Sequence, residues 1–182
     1  TTPERLATAV VQNDRVVVQG KIREKSGQTL LDLQTPEDLI VVSEHNLPPE
    51  AVALDPPEDA AEAETYYEAL EGMLVQLSEP AVAVAPTSKY SETVLVLQKW
   101  DIARVMRGDP TGRFIFVDDG SAATHADRST MSYAMQTGDV VTDVVGPLAY
   151  TYENYKIQPV ITPTITSGES PLPALEPAEL AA

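Results

Sequence analysis

Short apolar runs separated by turn residues make up most of the chain. Residues 15–18 (RVVV), 29–33 (TLLDL) and 39–42 (LIVV) are β-branched or aliphatic, the composition of strands. Between the first two lies EKSGQ, in which Gly27 can take the positive φ of a tight turn, so 15–18 and 29–33 are expected to form a β-hairpin. The extended, proline-marked HNLPPEAVALDPP then closes this first stretch.

The period changes after residue 55. Asp55 precedes Pro56-Pro57, with Glu58 three positions on, which predicts a helix capped by Asp55. Ala63, Tyr66, Tyr67 and Leu70 fall on one helical face, and Gly72 can end the helix. From Glu50 to Glu71 there are eight acids and no base, the wet face of that helix. Strand patterns return in MLVQLSEPAVAVAP, ETVLVLQKW and GRFIFVDDG, where Asp119-Gly120 supplies a turn. Residues 121–137 lack alternation and are expected to form a long loop, and GDVVTDVVGPLAYTYENYKIQPV (138–160) reads as strand, corner and strand.

Five or six strands with one short helix predict an all-β fold. The opening and closing patterns also match each other. Laying Asp14 on Asp139 sets Gly20 against Gly146, with one extra residue in the second copy. Beyond the glycine the offset holds: Thr29 matches Tyr155, Leu31 matches Ile157, and further on NLP (46–48) nearly matches PLP (171–173). Each copy is expected to be the closing hairpin of a small β-barrel, with glycine where the strand bends sharply.

Composition narrows the function classes. The 182 residues carry 12 Lys and Arg against 28 Asp and Glu, a net charge of −16 that on average repels a phosphate backbone. Cysteine is absent, which removes disulfides, thiolate metal sites and a cysteine nucleophile. No run of 18 apolar residues occurs, so no membrane-spanning helix is expected. The polar TTPER start and the PALEPAELAA end are expected of a piece cut from a longer polypeptide.

Taken in order, VVVQGKIREKSGQTLLDL, LPPEAVAL, YYEALEGMLVQL, RFIFVDDGS and TGDVVTDVVGPLAYTYENYKIQPV resemble the region preceding the nuclease domain in secreted bacterial nucleases of the endonuclease/exonuclease/phosphatase superfamily, the ExeM/NucH-like proteins. The likeness spans roughly residues 13–160. It implies an OB-fold-like β-barrel over 73–162, preceded by a partial related β module (1–56) and the short acidic helix (57–72), and followed by a Pro/Ser/Thr-rich exit segment (163–182). It also implies a non-catalytic accessory module, spacing or presenting a downstream nuclease domain of the same polypeptide, in the extracellular space or cell envelope. The family's glycine-rich turn before the third strand block appears here as SKYSETV, without glycine. Nothing resembles the nuclease domain itself, so no catalytic residue is carried over and this segment is not expected to be an enzyme.

The residues offer two further sites. Lys89, Lys99, Arg104, Arg107 and Arg113 lie within one stretch, interleaved with Tyr90, Trp100, Phe114 and Phe116, as a single-stranded nucleic-acid platform requires. This gives the alternative function, nucleic-acid binding by 89–116, although Glu92, Asp101 and Asp109 leave an excess of only two positive charges there. Asp118, Asp119, Asp139 and Asp143 stand in loop positions where oxygen ligands could hold calcium, without EF-hand spacing; turn formation by Asp119-Gly120 and Gly138-Asp139 is the plainer use. No other cofactor is expected. His45 and His125 fall in separate loops, without a partner at ligand spacing.

Overall fold

A computed structural model describes residues 10–102 and 111–168. Contacts divide the chain into two compact units, residues 1–50 with 150–153, and residues 51–149 with 154–182.

In the first unit, β1 (Arg15–Val18) pairs antiparallel with β4 (Leu39–Ser43), and β2 (Lys21–Lys25) pairs with β3 (Gln28–Asp32). Residues 15–18 therefore do not join 29–33 as their run of β-branched side chains suggested. KIREK takes that place, because the two-residue turn at Ser26 (φ 55°) and Gly27 (φ 80°) sets the register from its own edges. A 3-10 turn at Pro36–Asp38 follows, where the Asp38 carboxylate accepts the Gln34 and Thr35 amides at 2.8 and 2.7 Å. Those bonds favour the ionised form and hold its carboxyl below the ordinary range. No residue from 10 to 50 is buried, and Val17, Ile22, Ile40 and Val42 remain exposed.

The second unit holds the core. Its nine strands are β5 (Val52–Leu54), β6 (Leu74–Leu77), β7 (Ala81–Ala83), β8 (Thr93–Leu97), β9 (Ile115–Val117), β10 (Val140–Thr142), β11 (Val145–Thr151), β12 (Asn154–Ile157) and β13 (Thr164–Thr166). They form one mixed sheet in the order β13-β10-β7-β8-β9-β12-β11-β6-β5, with β9–β12 and β5–β6 parallel. The all-β expectation with one short helix holds. The order is linear, and among the described residues no pairing joins β13 to β5 into a closed barrel. The proline-rich tail contributes β13 to this sheet, antiparallel to β10.

Alternation explains which side chains go inside. Leu95 and Leu97 of β8, Ile115 and Val117 of β9 and Val141 of β10 are buried together with Leu54, Val75, Leu148 and Ile157. Helix α1 (Ala60–Glu68) lays Ala63 and Tyr67 on this cluster, with Tyr66 and Leu70 alongside, the face its spacing predicted. Its N-cap is Asp59, whose carboxylate accepts the Ala61 and Glu62 amides at 2.9 and 3.0 Å, and not Asp55. The reason is steric: Asp55 and Pro56 each precede a proline, which disfavours helical ψ, so the helix starts beyond them. The 121–137 loop contains a 3-10 turn at Arg128–Thr130 capped by Asp127, then sends Tyr133 and Met135 inward. Met135 is tied to Thr87, whose backbone amide donates to the Met135 carbonyl at 3.0 Å and whose hydroxyl accepts the Met135 amide at 2.8 Å.

The matched glycines each press on a backbone carbonyl at the matched position, Gly20 on an exposed ribbon and Gly146 inside the packed sheet. A Cβ on Gly20 would lie 2.7 Å from the Asp32 carbonyl oxygen, and one on Gly146 would lie 2.0 Å from that of Gln158. Asp32 and Gln158 stand at the same distance in sequence from their glycines. The turns correspond too: Ser26-Gly27 and Tyr152-Glu153 are both two-residue connections with positive φ throughout.

Candidate functional site

Two cations of the basic-aromatic stretch, Lys99 and Arg113, meet at one ring. Trp100 ends a 3-10 turn after β8 and packs against the core; the Arg113 guanidinium lies 3.8 Å from its ring centroid and the Lys99 ammonium 5.0 Å. Both cations are already answered by acids, Lys99 by Asp55 at 2.7 Å and Arg113 by Glu58 at 2.8 Å. The two ion pairs thus tie Lys99 and Arg113 to the acidic segment before α1, and cation–π contact holds both cations at Trp100. The indole N–H and the Arg113 Nε are buried with no hydrogen-bond partner among the described residues. Lys89 sits over the ring of Tyr90, which is half exposed. Arg104 and Arg107 lie outside the described residues. Phe116 of β9 and Phe114 just before it are half-buried, while Ile115 and Val117 are buried.

Three of the four aspartates accept backbone amides and the fourth accepts side-chain hydroxyls. Asp118 accepts the Gly120 amide at 2.7 Å and Asp119 the Ser121 amide at 2.9 Å. Asp139 accepts the Gln136 amide at 2.7 Å. Asp143, in the left-handed region at φ 59°, accepts the Thr142 hydroxyl at 3.0 Å, and threonine hydroxyls of 164 and 142 hold its carboxyl below the ordinary range. Among the described residues no group of three or more His, Asp or Glu side chains is placed to hold a metal ion. His125 Nδ1 lies 2.7 Å from the Thr130 hydroxyl, and His45 has positive φ at a turn.

A different cluster escaped the sequence reading. Lys156, on β12, is 1% exposed, the largest fully buried side chain, and its ammonium contacts the Glu92 carboxylate and lies 3.4 Å from Asp118 Oδ2. β12 runs parallel to β9 with Lys156 beside Phe116, which brings the strand end at Asp118 to the lysine tip. Glu92 enters from the residue before β8. Tyr133 adds a buried hydroxyl without a hydrogen-bond partner among the described residues; burial raises its pKa, and the negative Asp119 and Asp118 raise it further. Ser91, with φ 63°, has a buried hydroxyl likewise unpartnered among them. The arrangement places an amine between two carboxyl groups where water is largely excluded. The faint signal in the sequence is a lysine set between Tyr155 and Ile157.

Fold and clusters together define an acidic all-β protein on a nine-stranded mixed sheet. The chain belongs to the family described as Domain of unknown function (DUF8508), whose model matches residues 32–167. No curated protein and no solved structure matches it.

Proposed function

We propose that this chain is a non-catalytic accessory module of an exported nuclease, spacing or presenting a hydrolase domain carried on the same polypeptide. One observation carries the reading: the two hairpins share a glycine pressed against a backbone carbonyl at the same offset and a two-residue turn of the same handedness. Two such units in tandem are what the likeness to the ExeM/NucH-like region implies, an internal repeat of OB-like modules. The engagement of Lys99 and Arg113 by Asp55 and Glu58 supports a scaffold over a phosphate-tracking groove.

The test is hydrolysis of single- and double-stranded DNA by the full-length polypeptide, by the same polypeptide lacking this segment, and by this segment alone. Activity is expected in the first, a changed rate or substrate preference in the second and none in the third. Hydrolysis by the segment alone, or a full-length gene encoding no hydrolase, overturns the reading. A second reading, single-stranded nucleic-acid binding, is favoured by the half-exposed Tyr90 under Lys89. Micromolar affinity for a labelled oligonucleotide at low salt, lost in Tyr90→Ala, would put it first.

A further inference from the structure

The chain has no cysteine, so any covalent tie between its strands must come from other chemistry. Lys156, Asp118 and Glu92 offer one. The amine is fully buried and 3.4 Å from Asp118 Oδ2, while Asp118 Oδ1 accepts the Gly120 amide at 2.7 Å. Glu92, more exposed than either, contacts the same amine. An amine, a carboxyl carbon polarised by a backbone N–H and a second carboxylate able to carry protons are the parts of an acyl transfer, and the packed strands hold them in place.

We propose that Lys156 and Asp118 are joined by an intramolecular isopeptide bond, with Glu92 as the proton carrier. The ammonium first gives one proton, by way of Glu92, to Asp118, leaving a neutral amine facing a carboxylic acid. The nitrogen lone pair attacks Cγ, and the developing negative charge on Oδ1 is met by the Gly120 N–H. Glu92 then takes a second proton from the nitrogen and delivers it to Oδ2. The Cγ–Oδ2 bond breaks, Oδ2 leaves as water, and Oδ1 becomes the amide carbonyl. The Nζ–Cγ bond has formed, one N–H remains, Glu92 is a carboxylate again, and no oxidant or co-reactant is consumed. The product is a staple between the parallel strands β9 and β12, across 38 positions of sequence.

The geometry also assigns the roles. Asp118 has its side chain 12% exposed against 30% for Glu92, so the acyl group sits on the drier side, where an amide is shielded from hydrolysis, and the proton carrier sits nearer solvent.

Intact-mass spectrometry of the denatured chain tests this directly. The wild-type chain is expected to read one water below its sequence mass, and proteolysis to release a branched peptide joining 118 to 156. Lys156→Arg keeps the charge but not the amine and is expected at full mass. Glu92→Gln keeps the hydrogen bond without the proton transfer and is also expected at full mass. Asp118→Asn is expected to form the same staple with loss of ammonia in place of water. A wild-type chain that unfolds cooperatively yet stays at full mass after prolonged incubation at neutral pH overturns the proposal, as does a water loss that persists in Lys156→Arg. Because the wild-type mass decides by itself, a variant that fails to fold does not rescue the idea.

Discussion

Two hairpins of this molecule share a plan and differ in what covers them. In β2–β3 every residue of β2 is exposed, and among the described residues each strand pairs only with the other. In β11–β12 the matched glycine, Gly146, lies inside strand β11, paired to Val75 of β6, and not at the expected corner; the same kind of turn follows, flanked by β6 on one side and β9 on the other, and Leu148, Lys156 and Ile157 are buried. Matched positions make the contrast sharp: Ile22 is 77% exposed where Leu148 is 1% exposed, and Leu30 stands where the second hairpin carries Lys156. The glycine approach and the turn are therefore local and survive without a core, whereas burial is conferred by the flanking strands.

The largest effect expected from breaking this comparison is at its matched apolar pair. Leu148→Ala removes a fully buried side chain and should cost about 3 kcal/mol in denaturant unfolding, while Ile22→Ala, mostly in water already, should stay within about 0.5 kcal/mol. The glycines come next. Gly146→Ala drives a methyl into the Gln158 carbonyl inside the packed sheet, for about 2–3 kcal/mol; Gly20→Ala meets Asp32 on an exposed ribbon that can yield, for about 1 kcal/mol. Equal costs at the two positions would mean that the cover does not matter.

The turns give a smaller effect, of opposite sign. Tyr152 and Glu153 hold left-handed φ of 49° and 64° without a glycine, where the first hairpin uses Gly27. Glu153→Gly should therefore raise stability by about 0.5 kcal/mol or more, seen as a higher midpoint at unchanged slope. The smallest effect is on acid titration. Asp38 in the first unit and Asp143 in the second have carboxyls held below their unfolded values, so each contributes stability above the ordinary carboxylate range that is lost as pH falls through the depressed value. NMR titration should find both midpoints below that of Asp in a peptide. In Asp38→Asn the Thr35 turn should lose its acid sensitivity while that of Asp143 remains.

Much of this fold was legible in the chain. The strand-rich pattern, the single helix and its Ala63–Tyr67 face follow from periods that each segment carries alone. The match of Gly20 to Gly146 was also readable, because a close backbone approach leaves its mark as a missing side chain. Pairing partners were not: RVVV meets LIVVS across a long separation, and a short apolar run does not state which edge it will find. The helix start moved from Asp55 to Asp59 because two consecutive prolines extend the chain before they permit a helix. The candidate sites were least legible. A lysine reads as a solvated residue wherever it stands, and Lys156 becomes an interior group only when Glu92, just before β8, and Asp118, just after β9, meet it. Lys99 and Arg113 read as part of a patch because their acidic partners, Asp55 and Glu58, come from before α1 in the sequence.

The outermost strands of the large sheet, β5 and β13, are also the first and the last that the chain lays down in it. A pull along the polypeptide therefore reaches this unit at its two rims, where three-residue ladders peel one hydrogen bond at a time. The rims should give way at low force and take up slack, leaving the middle of the sheet to bear load only once they have opened.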